Sequence, residues 1–146
     1  LSQIEEEHRQ EQAPFPYPLL KLGLQTNREI LRERVVARTR QMLREGLLQE
    51  TESLLDRGLA DWEPLQSVGY KEACAYLRGD GPPKDLQALE DLIVQNTMRL
   101  AKRQKTWFQR DEAIHWGAPE ELPRFRELVR GFLKTPGKID PRRVIG

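Results

Sequence analysis

An apolar stripe with helical spacing runs from Asp85 to about Arg110, and it limits what the rest of the chain can form. Leu89, Ile93, Asn96, Leu100, Arg103 and Trp107 recur every three or four residues, which places them on one helix face. A helix that long in a chain of 146 residues predicts a mainly α fold around one sizeable core. Composition agrees: 38% hydrophobic and 32% charged residues suit amphipathic helices with charged outer faces. One position breaks the stripe's chemistry: Arg103 puts a guanidinium in the seam, where it must be paired or must face a cleft.

Around this helix the chain divides as follows. Residues 2–11 read as a short acidic helix, broken by Pro14, Pro16 and Pro18. Leu19 to Leu24 reads as a short strand. An isolated strand leaves its backbone groups unpaired, so its partners are expected outside this chain. The chain also begins with Leu1, not Met, as a piece of something longer would. Thr26 or Asn27 can cap a helix running to about Glu45, with Leu31, Val35, Arg38 and Met42 on one face. Gly46 ends it. Leu47, Leu48, Thr51, Leu54 and Leu55 predict a second helix ending at Gly58. Pro64 and Gly69 bracket a turn, and Tyr70 to Arg78 predicts a third helix. After the long helix, Ala113 to Trp116 reads as extended. Pro119 opens a last helix through Leu122, Phe125, Leu128, Val129 and Phe132 to about Lys134. The basic tail from Pro136 to Gly146 is expected to be mobile.

Several classes of function are excluded early. Cys74 is the only cysteine, so no internal disulfide and no cysteine-based zinc site can form. No apolar run approaches the roughly 20 residues that span a bilayer. No G-x-x-x-x-G-K-[ST] phosphate loop is present, and His8 and His115 lack metal-ligand spacing. The net charge of +1 argues against bulk attraction to nucleic acid. That average hides a local excess: Arg99, Lys102, Arg103, Lys105 and Arg110 occupy twelve residues with no acidic side chain.

Three places could carry chemistry. In the basic segment, Lys and Arg can meet phosphate oxygens, and Gln104 and Thr106 can bond sugar or base edges. Trp107 or Phe108 could stack on an unpaired base if exposed. Periodicity, however, favours Trp107 as core. Arg38 lies on an otherwise apolar face. It either forms a buried ion pair with Glu50 or Glu52, or binds an anion through its fork of donors. It and Arg103 could converge on one phosphate. Gln66-Ser67-Val68-Gly69-Tyr70-Lys71 joins a turn to a helix start, where backbone N–H groups suit an anion, although most such turns are only turns.

These motifs in their order resemble the C-terminal part of bacterial tRNA dimethylallyltransferases, the tRNA isopentenyltransferase family. The resemblance rests on Leu31-Arg32-Glu33-Arg34 through Arg38 and Met42, Gly46-Leu47 with Glu50, and Val68-Gly69-Tyr70-Lys71-Glu72. It continues in Tyr76-Leu77 with Gly79, in Thr97, in Ala101-Lys102-Arg103-Gln104 with Thr106-Trp107-Phe108, and in Trp116. It covers roughly Leu1 to Trp116. Two departures stand out. The family often has Arg where this chain has Met98, with Arg99 next, and often Arg where it has Gln109, with Arg110 next.

The resemblance implies a phosphate-loop α/β protein with a helical insertion, of which this chain is a mainly α part with one or two short strands. It implies transfer of a dimethylallyl group from its diphosphate to N6 of adenosine-37 beside the tRNA anticodon, with Mg²⁺ as cofactor. Arg38 would approach the diphosphate. Gln66, Ser67, Val68, Gly69, Tyr70 and Lys71 would meet the tRNA anticodon stem-loop, as would Lys102, Arg103, Gln104, Lys105, Thr106, Trp107, Phe108 and Gln109. The phosphate loop, the catalytic aspartate and the metal ligands have no counterparts here, so the chain alone is expected to be inactive. Residues 1–116 would belong to the enzyme core, 117–135 to a C-terminal helix and 136–146 to the tail. A cytoplasmic monomer without membrane contact is expected. Two rivals are a non-catalytic helical RNA-binding module and a helical protein-interaction domain.

Overall fold

The computed structural model describes residues 17–79 and 81–135. The acidic helix expected over 2–11 and the tail over 136–146 lie outside them. The elements run β1 (Lys21–Leu24), α1 (Arg28–Glu45), α2 (Leu47–Asp56), a 3-10 turn (Glu63–Gln66), α3 (Tyr70–Arg78), α4 (Leu86–Phe108), β2 (Ile114–Gly117), a second 3-10 turn (Pro119–Glu121) and α5 (Leu122–Lys134). The fold is mainly helical with two short strands. No helix of the described residues is long and apolar enough to cross a membrane. The contacts divide the chain into two compact units, residues 26–108 and residues 1–25 with 109–146. Pairing of β1 with β2 puts the segments before and after the helical unit into one compact unit.

In the 26–108 unit, α1 packs on α4, α2 on α3, and α3 on α4. Asn27 caps α1 by accepting the Glu29 N–H at 2.7 Å. Gly46 closes the helix by donating to the Met42 carbonyl. Leu47, Ala73, Leu89 and Ile93 form the core, with Met42, Leu43, Leu48, Tyr70 and Tyr76 packed against it. Leu65 in the 3-10 turn is 1% exposed. Polar side chains in this interior are satisfied locally: Thr51 donates to the Leu47 carbonyl at 2.7 Å.

The α1 seam differs from the expected one. Thr39 is the buried residue of this helix, and Arg38 is exposed. Successive helix residues turn by about 100°, so a stripe centred on Thr39 pushes Arg38 to its margin. The α4 stripe also stops early. Leu89, Ile93 and Val94 are buried, whereas Leu100 is 36% and Trp107 65% exposed. Trp107 is therefore not core, and Arg103 is exposed, not desolvated. The last turns of α4 outrun the helices that cover its first half.

In the other unit, β1 and β2 pair in parallel, with Lys21 opposite Ile114 and Leu24 opposite Gly117. The strand expected to lack a partner finds it about ninety residues on. A parallel pair needs a long crossover, and here the connection is the whole 26–108 unit. Gly23 is required by close approach, since a Cβ there would sit 2.6 Å from the Trp116 ring. Phe125 and Leu128 of α5 are buried.

Two half-buried carboxylates tie this unit together. Asp111 takes the Lys21 ammonium at 2.6 Å and the Ala113 N–H at 3.0 Å, and the Lys21 bond above all holds its pKa below the usual value. Glu121 accepts the Ala118 N–H at 2.6 Å and Arg124 at 2.9 Å, and these lower its pKa in that order. A pKa lowered by folding adds stability above the unfolded value, about 4 for a carboxylate, and that stability is lost as pH falls through the folded value. Acid titration followed on the Trp116 indole signal should thus show loosening of this unit below about pH 4. Asp111→Asn with Glu121→Gln should flatten that response. An unchanged acid response in the double variant would count against these two bonds.

Candidate functional site

A groove of about 520 Å³ runs along the 26–108 unit, lined by Arg38, Met42, Glu45, Leu47, Glu50, Ser67, Val68, Gly69 and Tyr70. It joins two of the three places singled out by sequence, since Arg38 on α1 shares its wall with the turn leading into α3. Among the described residues Arg38 forms no ion pair, so neither Glu50 nor Glu52 neutralises it. An exposed guanidinium held beside an apolar floor of Met42 and Leu47 keeps its full set of donors for an incoming anion.

The turn is closed by local hydrogen bonds. Ser67 donates through both its hydroxyl and its backbone N–H to the Pro64 carbonyl, at 2.6 and 3.1 Å. Gly69 has φ 103° and ψ −61°, a conformation that side-chain-bearing residues rarely adopt. Its N–H donates to Glu72 at 2.7 Å. Tyr70 is half-buried against the core, and its phenol pKa is raised by burial, then by a hydrogen bond to Glu50 and by that carboxylate's charge. Val68 is half-buried, while Gln66, Ser67 and Lys71 are exposed.

The third place stands apart from the groove lining. Lys102, Arg103, Gln104, Lys105, Thr106, Trp107, Phe108 and Gln109 are all exposed. Arg38 and Arg103 do not converge in one cavity, since Arg103 is not part of the groove wall. Trp107 and Phe108 meet edge to face, with ring centroids 4.8 Å apart and planes at 84°. Thr106 returns its hydroxyl to the Lys102 carbonyl at 3.0 Å, which removes it as a free donor. The segment is a solvated cationic helix end carrying two exposed aromatic rings, suited to phosphates and to a base face.

Sequence reasoning missed the polar link behind the turn. Glu72 is 4% exposed and also accepts Asn96 Nδ2 at 2.7 Å. Asn96 in turn accepts Arg99 at 3.2 Å. The signal was an asparagine in an apolar seam, which a partner on another helix explains. No group of three or more potential metal ligands occurs among the described residues.

A family model described as IPP transferase matches residues 1–111. The tRNA dimethylallyltransferase of Bdellovibrio bacteriovorus is 47% identical over 135 residues, 92% of this chain and 43% of that protein. That of Geobacter sulfurreducens is 43% identical over 117 residues, 80% of this chain and 36% of that protein. A full-length tRNA isopentenylpyrophosphate transferase from Bacillus halodurans superposes with a TM-score of 0.74 at 31% identity, over 90% of this chain and 44% of its own. The tRNA delta(2)-isopentenylpyrophosphate transferase of Staphylococcus epidermidis gives 0.70 at 26% identity, over 92% and 43%. The chain spans less than half the length of these relatives. With a matched family model over most of its length, the chain belongs to the IPP transferase family.

Proposed function

We propose that the complete protein is a tRNA dimethylallyltransferase, moving a dimethylallyl group from dimethylallyl diphosphate to N6 of adenosine-37 in the anticodon loop. The observation that carries this reading is the groove lined by both the Ser67–Tyr70 turn and Arg38, which has no ion pair among the described residues. In the reaction a C–N bond forms at the adenine amine and the C–O bond to diphosphate breaks. The electron pair leaves with the diphosphate. The amine proton goes to an aspartate outside this chain, as does the work of the phosphate loop.

Arg38 stabilises the charge growing on the departing diphosphate, where a fork of fixed donors does most good. Gln66 to Lys71 hold the anticodon stem-loop at the groove, and Lys102 to Gln109 grip its phosphates and a splayed base. Flipping the target adenine out of its stack brings it to the donor. The Mg²⁺ that the family resemblance implies finds no ligand group among the described residues. The protein acts as a cytoplasmic monomer in this reading.

The test is transfer of labelled dimethylallyl to tRNA by the complete protein. Absence of transfer with retained tRNA binding would favour an RNA-binding module instead. The 146-residue chain alone should give no turnover above background, and turnover would overturn the assignment of the catalytic groups to other segments. Arg103→Ala should weaken tRNA binding at physiological salt and lower the slope of log affinity against log salt by about one. An unchanged slope would remove Arg103 from the contact.

A further inference from the structure

Behind the groove lies a buried carboxyl group to which the proposed reaction assigns no task. Glu72 accepts from Gly69 through one oxygen and from Asn96 through the other. A glutamate three residues after a helix cap often accepts from the cap N–H. That habit explains the first bond. It explains neither the burial of the side chain nor the second bond to another helix. Asn96 then turns its oxygen to Arg99, at the head of the basic segment. Donors and acceptors along Gly69, Glu72, Asn96 and Arg99 thus run in a fixed order, because Glu72 meets donors on both sides.

We infer that Glu72 and Asn96 are positioning residues for the substrate site, holding the Gly69 peptide along the groove wall while aligning Arg99 on α4. This rests on reading the groove and the basic segment as the tRNA and diphosphate site. Gly69 is buried, and its carbonyl accepts the Ala73 N–H at 3.1 Å as the first turn of α3 begins. The Glu72 bond is the side-chain tie on its N–H, the end of the Gly69 peptide that faces the turn.

The ordering of donors supplies the test. Glu72→Gln in the complete protein keeps the shape but must present an amine to Asn96 or to the Gly69 N–H, donor against donor. If Asn96 turns over to accept, it then offers its own amine to Arg99. Adding Asn96→Asp repairs every link: Gly69 donates to Gln oxygen, Gln amine donates to Asp, and Arg99 donates to Asp.

The single variant should raise KM for tRNA about ten-fold with kcat changed less than about three-fold, and should speed exchange of the Gly69 amide hydrogen about ten-fold. The double variant should return both to within about three-fold of the original protein. An unmoved KM, or one that the second substitution fails to recover, would overturn the inference. So would loss of folding in both variants, which would make Glu72 part of the scaffold alone. If the unaltered protein transfers nothing, the proposed function fails. Gly69 exchange then still decides whether the link positions the turn.

Discussion

Arg38→Ala in the complete protein is expected to lower kcat for prenyl transfer by about 10²–10³-fold, the usual loss when one preorganised donor to a developing charge is removed. Arg38 is exposed and unpaired among the described residues, so its removal deletes no ion pair and opens no cavity. Thermal stability should change by less than about 0.5 kcal/mol. The two readouts together separate a substrate contact from a structural one. Arg38→Lys should recover part of the loss, because lysine supplies the charge without the bidentate fork. Steady-state kinetics with saturating tRNA decides the matter. A kcat within three-fold of the original would remove Arg38 from the reacting diphosphate. A rise in KM alone would leave it as a ground-state binder.

What the sequence disclosed followed from local rules. Asn27, Gly46 and Gly79 mark helix ends by chemistry that needs only neighbouring residues, and the three helices they bound lie close to where the caps place them. The stripe of Leu89, Ile93 and Asn96 faces inward as its spacing requires. The errors share one cause, which is reliance on covering elements that local pattern does not specify. Trp107 continues the period of Ile93, yet among the described residues the last turns of α4 are exposed and the ring is 65% exposed. Arg38 shares a face with Leu31 and Met42, but Thr39 is the residue of α1 that the fold buries. The strand over Lys21–Leu24 found a partner because parallel pairing joins segments far apart in sequence. The site was half legible. Arg38 and the Gly69 turn were named for their chemistry, while their meeting in one groove is a tertiary fact. The Glu72–Asn96 link needed both helices in place before its purpose could be seen.

Ile93→Ala should produce the largest loss of stability in the 26–108 unit. Ile93 is 1% exposed and packs with Leu47, Ala73 and Leu89, so three helices lose contacts when its side chain is cut back. Removing a buried isoleucine to alanine costs about 2–5 kcal/mol, from lost transfer energy and the cavity left behind. For a unit of this size each kcal/mol lowers the melting temperature by about 4–8 °C, so a drop beyond about 10 °C is expected. Leu86→Ala on the same helix is the control. Leu86 is 54% exposed, and its truncation should move stability by less than about 0.5 kcal/mol. Asn96, which reaches Glu72, lies less than one turn beyond Ile93. The Ile93 variant tested well below its melting point should nevertheless keep KM for tRNA within about three-fold, since it leaves every donor and acceptor of the Gly69 link intact. Glu72→Gln should do the opposite, raising KM about ten-fold with a smaller fall in melting temperature than Ile93→Ala. If the two variants instead shift KM and melting temperature in the same proportion, the turn draws its position from core packing, and the polar link adds nothing to it.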